Sequence, residues 1–249
     1  MGFDMGAEPA LSFFTWNLAM LARSNEAPPT WGQEHTEATV RAAVLEAAPD
    51  LVLFQELPRL VPYIETHDMV KANPESHQGN LATLVSHELV ARVGEPTITT
   101  VPGCAILTSL PLNDDTHITI ANVHLAPGSG AAGAAARLEQ FAQIVEASPT
   151  PILAIIGDTN TRIDELDALA EADLHSQQPP RPTWNTKRNR FHLRGPQFTA
   201  YFTRAIMSPG VSIAEQQVID APVEVDGYRF YPSDHFGLSG SLHLDQGSD

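Results

Sequence analysis

Five short polar motifs stand at or just past the end of an apolar run, in a consistent order over most of the chain. They are Thr15-Trp16-Asn17, Phe54-Gln55-Glu56, Asn122-Val123-His124-Leu125, Gly157-Asp158-Thr159-Asn160 and Tyr231-Pro232-Ser233-Asp234-His235-Phe236-Gly237. Each motif supplies a carboxylate, a carboxamide or an imidazole, which are groups that bind cations and transfer protons. One such motif is compatible with chance, whereas five in order indicate one constellation of functional residues.

Predicted strands and helices alternate irregularly, which favours one layered α/β domain with mixed sheets over residues 1–249. Apolar or alternating runs predict strands at 11–18, 51–54, 81–86, 97–101, 104–109, 117–124, 151–156, 198–206 and 237–244. Helices are predicted at 36–48, 59–71, 132–147 and 164–172. Pro102-Gly103 predicts a hairpin turn between two of the strands.

The composition excludes several classes of protein. A hydrophobic content of 43% in 249 residues suffices for a sizeable core. No run of 18 apolar residues is present, so we expect no membrane span. Asp4 and Glu8 near the N-terminus speak against a signal peptide, and the single Cys104 fits a reducing compartment. We therefore expect a cytoplasmic monomer.

The net charge of −16 is unusual for a protein that binds nucleic acid. The segment 181–204, however, contains no Asp or Glu and holds six of the 14 basic residues, namely Arg181, Lys187, Arg188, Arg190, Arg194 and Arg204. Two interpretations stay open. The segment is either a basic lip that receives an anionic substrate through Arg188 and Arg190, or a solvated loop of ordinary charge.

The motifs resemble the endonuclease/exonuclease/phosphatase superfamily of metal-dependent phosphodiesterases and phosphatases. Within it they look most like the tyrosyl-DNA phosphodiesterase 2 (TDP2) family, because Thr161-Arg162 and Thr183-Trp184-Asn185-Thr186 also match. The resemblance implies a four-layer α/β sandwich, in which two mixed β-sheets pack face to face with helices on both outer sides. It also implies that catalytic residues lie at strand ends along one edge.

Phosphodiester hydrolysis requires an aimed water molecule and compensation of the charge on the phosphoryl oxygens. A hard divalent cation contributes to both, and oxygen ligands select it. Glu56, after a buried strand, is the best candidate ligand for Mg²⁺, with Mn²⁺ as a possible substitute. By resemblance, Asn17 helps to hold metal or phosphate, and Asp234 lies near the metal.

The resemblance also implies roles in the reaction itself. Asp158 orients or deprotonates the attacking water and Asn160 holds a phosphoryl oxygen. Alternate strand residues share a face, so both side chains are expected in one cleft. His235 contacts the phosphate and assists proton transfer, and His124 matches a second active-site histidine.

Two further residues match positions that lie beside the phosphate in the TDP2 family. They are Arg162, after the Asp-x-Asn motif, and Trp184, in the Thr-Trp motif. A guanidinium stacked on an indole would form a cation–π pair there.

The chain departs from the family pattern at one position. The penultimate strand of the family usually carries an Asp that orients the catalytic histidine, and here Thr199 or Ala200 is expected to stand there. Either another acid, such as Asp220 or Asp226, substitutes, or His235 works less well, because histidine depends on such a partner for its tautomer and basicity.

Two features of the sequence favour alternative functions. Gly128-Ser129-Gly130-Ala131-Ala132-Gly133 matches a dinucleotide fingerprint, but four residues separate it from the strand, and the other motifs would stay unexplained. A non-catalytic binding protein on the same fold is the second alternative. Among enzymes, candidate substrates are DNA ends or tyrosyl-DNA adducts, RNA, sphingomyelin-type lipids and inositol phosphates. We favour a Mg²⁺-dependent phosphodiesterase, with nucleic acid ahead of small phosphoesters.

Overall fold

The computed structural model describes residues 11–58, 63–73, 80–113, 116–192 and 195–244, with the side chains of 70–73 left aside. The helices of the described part are α1 (Gln33–Ala47), α2 (His87–Val93), α3 (Ala131–Ala147) and α4 (Leu166–Ala170). The strands are β1 (Leu11–Asn17), β2 (Leu51–Leu57), β3 (His67–Asn73), β4 (Asn80–Ser86), β5 (Thr97–Val101), β6 (Ala105–Pro111), β7 (His117–His124), β8 (Leu153–Asp158), β9 (His175–Gln177), β10 (Trp184–Asn185), β11 (Thr199–Ala200), β12 (Thr203–Met207), β13 (Val211–Ile219), β14 (Val223–Val225), β15 (Tyr228–Phe230) and β16 (Gly237–Leu244).

Two mixed sheets of six strands each form the body of the fold. The first sheet has the order β13-β16-β1-β2-β4-β3, and the second has the order β5-β6-β7-β8-β12-β9. One neighbouring pair in each sheet is parallel, β1 with β2 and β7 with β8, and the other pairs are antiparallel. Within each parallel pair, the carboxyl ends of the two strands therefore lie side by side.

Strand β2 shows how the sequence produces the layers. Its run Leu51–Phe54 is apolar at every position, which is typical of a strand covered on both faces. Leu51 and Leu53 belong to the core between the two sheets, whereas Val52 and Phe54 belong to the core on the outer side of the first sheet. The pleat thus sends alternate side chains into two different cores.

Helices cover both outer faces. Val40 and Val44 of α1 pack on the outer side of the first sheet. Phe141 and Ile144 of α3, together with Leu169 of α4, pack on the outer side of the second sheet. The predicted four-layer α/β sandwich is confirmed.

A buried polar network joins the two sheets under the polar motifs. Gln55 Nε2 donates to Asn122 Oδ1 at 2.8 Å and to Thr15 Oγ1 at 3.0 Å, and Asn122 Nδ2 donates to the Ala82 carbonyl at 2.9 Å. All four residues are fully buried. Buried amides that are paired in this way fix the spacing of the strands that carry them.

Gly157 allows this network to lie directly beneath Asp158. Its φ is 141°, and a Cβ atom there would lie 2.4 Å from the Val123 carbonyl oxygen and 3.0 Å from Gln55 Nε2. Any side chain at this position would therefore separate β7 from β8 at the point where Asp158 is positioned.

Some sequence predictions were wrong. The helix expected at 59–71 is a strand, β3, at residues 67–73, and residues 59–62 lie outside the described part. The strand expected at 198–206 is divided into β11 and β12, and β11 pairs with β10 outside both large sheets. Helix α2 and strands β9, β10, β13, β14 and β15 were not predicted. Within the described ranges, no helix is long and apolar enough to cross a membrane.

Candidate active site

The polar motifs meet at one edge of the sandwich. Asn17 ends β1, Glu56 is the second-last residue of β2, and His124 and Asp158 end β7 and β8. A cleft of about 530 Å³ opens there, lined by Met20, Glu56, His124, Pro127, Asp158, Asn160, Trp184, Phe202, Asp234 and His235. The cleft thus brings together residues from four of the five motifs, and Asn17, from the remaining motif, lies buried beneath it.

Glu56, His124 and Asp158 form a cluster that fits a divalent cation. Their ligand atoms lie within 4.8 Å of one another. His124 Nε2 is 3.5 Å from both Glu56 Oε1 and Asp158 Oδ2. Two carboxylates at this separation repel each other unless a positive charge lies between them. Carboxylate oxygens suit Mg²⁺ or Mn²⁺, and the imidazole suits Mn²⁺ better than Mg²⁺.

Asn17 joins the two carboxylates from below. Its Nδ2 donates to Glu56 Oε1 and to Asp158 Oδ2, both at 2.9 Å, while its Oδ1 accepts the backbone N–H of Ala19 at 3.0 Å. The side chain is fully buried. In this arrangement Asn17 aligns the two acids, and its expected role as a ligand of metal or phosphate stays a prediction.

The backbone is left-handed at two of these residues, Glu56 with φ 48° and Asn160 with φ 52°. Asparagine adopts this region readily, whereas glutamate rarely does, so the strain lies at Glu56. The pairing of β2 with β4 shifts register between Phe54 and Leu57, which marks a bulge around Glu56. Strain of this kind often accompanies functional sites, where the surrounding structure holds the residue in place.

Asp158 is almost completely buried, at 1% exposure, and accepts several hydrogen bonds. In addition to the contact with Asn17, its Oδ1 accepts the N–H of Asn160 at 3.2 Å, and Asn160 Nδ2 donates to the Leu125 carbonyl at 3.1 Å. Asp158 and Asn160 line the same cleft as expected. A local turn after β8 places Asn160, however, and not the strand pleat on which the expectation was based.

His235 is fixed through its backbone and its ring. Its N–H donates to Ser233 Oγ at 3.1 Å, and its carbonyl accepts Trp16 Nε1 at 2.9 Å. The ring lies 4.7 Å from the ring of Trp184 in an edge-on arrangement, and its Nε2 is 3.5 Å from Asp158 Oδ2.

The residue that faces His235 is not the one predicted from the sequence. Thr199 and Ala200 form β11, and the group that faces His235 Nδ1 is Thr203 Oγ1, at 3.4 Å. Asp220 does not substitute, because it binds two arginines, and Asp226 accepts a hydrogen bond from Thr30. The position is therefore occupied by a neutral hydroxyl.

Asp234 has a partner that the sequence did not reveal. Its Oδ2 lies 3.0 Å from His192 Nε2. Burial acts to raise the pKa of the Asp234 carboxyl, but the hydrogen bond from His192 and the nearby His235 outweigh it, so that the pKa lies below its usual range. The same hydrogen bond raises the pKa of His192. The two residues are 42 positions apart, and no motif connects them.

Arg162 stacks on a different ring from the one expected. Its guanidinium lies 4.0 Å from the ring centroid of Phe202, while Trp184 packs on His235. Arg162 Nη1 also donates to the Asn160 carbonyl at 2.9 Å. Burial, followed by the charge of Arg137, lowers the pKa of Arg162.

Three of the six basic residues in the segment 181–204 pair with acids. Arg188 and Arg181 both bind Asp220, the latter at 3.1 Å, and Arg190 binds Glu26 at 3.2 Å. Arg204 is buried, which lowers the pKa of its guanidinium to about 10. Arg194 lies outside the described residues.

The glycine-rich loop has a structural explanation. The buried Arg137 donates to the carbonyls of Ala126 and Gly128 at 2.8 and 3.0 Å, and it forms a two-point ion pair with Glu165. The loop therefore turns carbonyl oxygens towards a guanidinium, whereas a phosphate-binding loop presents N–H groups.

The sequence profile described as the endonuclease/exonuclease/phosphatase family matches residues 14–235, which include every residue of the cleft. The chain belongs to the endonuclease/exonuclease/phosphatase family. Members are hydrolytic enzymes that use divalent metals. This membership supports a metal-dependent phosphoesterase or nuclease-type function and leaves the dinucleotide interpretation without support.

Solved structures of family members share this fold. TDP2 from D. rerio, in complex with a single-stranded DNA product, superposes with a TM-score of 0.67 at 19% identity, covering 95% of this chain and 100% of that chain. TDP2 from C. elegans gives 0.64 at 16%, covering 95% and 76%. An endonuclease/exonuclease/phosphatase from Bacteroides vulgatus gives 0.66 at 13%, covering 95% and 99%. No curated protein sequence matches the chain significantly.

Proposed function

We propose that this protein is a divalent-metal-dependent phosphodiesterase that uses Mg²⁺, with Mn²⁺ as an alternative. The observation that carries the proposal is the cluster of Glu56, His124 and Asp158 at the floor of the cleft, with His235 beside it. Among the described residues, no Lys or Arg forms an ion pair with either carboxylate of this cluster. A cation bound there would polarise a phosphoryl oxygen and lower the pKa of a bound water.

The residues of the chain divide the remaining work. Asp158, buried and held by Asn17, orients the attacking water and accepts its proton. His235 Nε2 lies 3.5 Å from Asp158 Oδ2, so that it can donate to a phosphoryl oxygen of a substrate bound there. Asp234, kept ionised by His192, adds negative charge to the same cleft as Glu56 and is a further candidate ligand. Arg162 and Trp184 flank the phosphate position.

For the substrate we propose a nucleic-acid phosphodiester, such as a DNA end or a tyrosyl-DNA-like adduct. The similarity in fold to TDP2 bound to single-stranded DNA supports this choice. A small or lipid phosphoester is the second candidate, and a specific observation favours it. Arg181, Arg188 and Arg190 are already paired with acids, so they offer little free charge to a long polyanion.

Hydrolysis of bis-p-nitrophenyl phosphate in EDTA, Mg²⁺ and Mn²⁺ tests the proposal. We expect metal-dependent release of nitrophenol by the wild type and loss of that activity in Asp158→Asn. Oligonucleotides with free or 5′-tyrosyl ends then distinguish the substrate classes. Metal binding without hydrolysis of any of these esters would instead support a non-catalytic binding protein.

Three further properties are proposals that rest on the sequence. We propose one domain over residues 1–249, a monomeric state and a cytoplasmic location. A single cooperative unfolding transition and a monomer mass by light scattering are the expected results for the first two.

A further inference from the structure

The two nitrogens of the His235 imidazole lie beside residues that face each other across one strand pair. Thr203 of β12 and Asp158 of β8 are direct partners in the antiparallel ladder. Thr203 Oγ1 lies 3.4 Å from Nδ1, and Asp158 Oδ2 lies 3.5 Å from Nε2. The ring therefore bridges two neighbouring strands at the floor of the cleft.

Thr203 is itself rigidly placed. It is fully buried, its N–H donates to Thr183 Oγ1 at 3.0 Å, and its carbonyl accepts from the same hydroxyl at 3.1 Å. The Thr183 carbonyl in turn accepts the N–H of Phe236 at 2.8 Å. Because Phe236 follows His235 in the chain, these bonds tie the backbone of the histidine to the strand that carries Thr203.

The hydroxyl of Thr203 faces the ring of His235. In the part of the chain that the structure describes, this hydroxyl contacts the imidazole of His235. Three acids that could take its place have other partners: Asp220 binds Arg181 and Arg188, Asp226 binds Thr30, and Asp234 binds His192. None of these three carboxylates is therefore free to replace the hydroxyl at Nδ1.

We propose that Thr203 is the positioning residue of His235, and that a neutral hydroxyl orients the ring so that Nε2 stays beside Asp158. A hydroxyl can donate or accept, so it fixes the direction of the ring without adding charge. The edge-on contact with Trp184 limits the remaining rotation. The consequence for turnover rests on the proposed phosphodiesterase activity, whereas the orientation of the ring does not.

The test compares three variants. Thr203→Val removes the hydroxyl at nearly constant volume, and Thr203→Ser restores it. Thr108→Val is a matched control, because Thr108 is equally buried between the sheets and its hydroxyl has no partner among the described residues. For each variant, kcat and KM for bis-p-nitrophenyl phosphate are measured at saturating Mn²⁺, after circular dichroism has shown a folded protein.

We expect kcat of Thr203→Val to fall about 10- to 100-fold, the usual loss when a hydrogen-bonding partner of an active-site histidine is removed. KM should change less than about twofold, and Thr203→Ser and Thr108→Val should stay within about threefold of wild type. Equal losses in the Val and Ser variants would overturn the proposal, since packing alone would then explain them. So would an unchanged kcat in Thr203→Val.

A second readout does not depend on activity. Long-range ¹H–¹⁵N spectra report the hydrogen bonding of each imidazole nitrogen, and a His235→Gln variant identifies the signals of His235. We expect Thr203→Val to shift the Nδ1 resonance of His235 and Thr203→Ser to leave it close to wild type. An Nδ1 resonance unchanged in Thr203→Val would overturn the proposal, even for a protein that hydrolyses none of the esters tested.

Discussion

The floor of the cleft and the basic segment 181–204, which we propose forms its rim, differ in how their charges are paired. At the floor, Glu56 and Asp158 lie close together, and in the described ranges neither pairs with a Lys or Arg side chain. At the rim, Arg188 and Arg190 each pair with an acid. The floor therefore carries negative charge that can attract a cation, as the proposed function requires, while Arg188 and Arg190 already have acidic partners within the protein.

Asp158→Asn should have the largest effect on the floor. The amide keeps the shape of the side chain but cannot accept a proton, so kcat should fall by about 10²- to 10⁴-fold. Steady-state hydrolysis of bis-p-nitrophenyl phosphate measures the loss. Asp167→Asn, at an exposed position on α4, serves as the control and should match wild type. Retention of more than a tenth of wild-type kcat in Asp158→Asn would remove Asp158 from the reaction.

Arg137→Met breaks the buried ion pair between Arg137 and Glu165, whose contribution to stability can be compared with that of an exposed pair of the rim. Glu165 would be left buried and unpaired, which costs about 3–5 kcal/mol of unfolding free energy. Arg188→Met, at an exposed pair, should cost no more than about 1 kcal/mol. Urea unfolding followed by circular dichroism measures both, and similar losses in the two variants would show that burial does not separate them.

Glu56→Gln tests whether the floor binds the metal. Removal of one negative charge should raise the Mg²⁺ concentration for half-maximal activity by about 10- to 100-fold or more. A residue that only supports a metal ligand already contributes about 10- to 100-fold to metal affinity. Calorimetric titration with Mn²⁺ should show the same weakening. Glu46→Gln, exposed on α1, is the matched control. A titration curve that coincides with wild type would count against Glu56 as a ligand.

Asp220→Asn should have the smallest effect and act only at the rim. The substitution releases Arg181 and Arg188 from their common partner. KM for an oligonucleotide should therefore fall by up to about fivefold, which corresponds to the energy of one exposed ion pair. KM for bis-p-nitrophenyl phosphate should not change. Asp226→Asn, whose partner is the hydroxyl of Thr30, controls for a general loss of negative charge. An equal fall in KM for both substrates would contradict the assignment of these arginines to the rim.

The sequence predicted that Glu56 and Asp158 would stand at strand ends, because strand periodicity is local information. Both residues follow apolar runs that can be recognised from a few neighbouring residues. They belong to different sheets, and the face-to-face packing of the two sheets brings them together. The rim depended on contacts between distant positions. Arg190 and Glu26 are 164 residues apart in the numbering, and no sequence pattern predicts that they pair.

The partner of His235 was missed for a related reason. The chain is interrupted between β11 and β12, so the residue that pairs with Asp158 is Thr203 and not Thr199. Only the register of the folded strands reveals such a shift. His192 was missed because it lies within a basic segment whose composition suggested contact with substrate and not with Asp234.

The left-handed backbone of Glu56 has a consequence for anyone who engineers this protein. Glycine adopts that conformation without the penalty of about 1–2 kcal/mol that a side chain incurs there. A search for heat-resistant variants, if it scored stability alone, would therefore tend to select Glu56→Gly and discard the side chain expected to bind the metal. Selection for thermal resistance is expected to favour glycine at position 56, whereas selection for turnover is expected to favour glutamate.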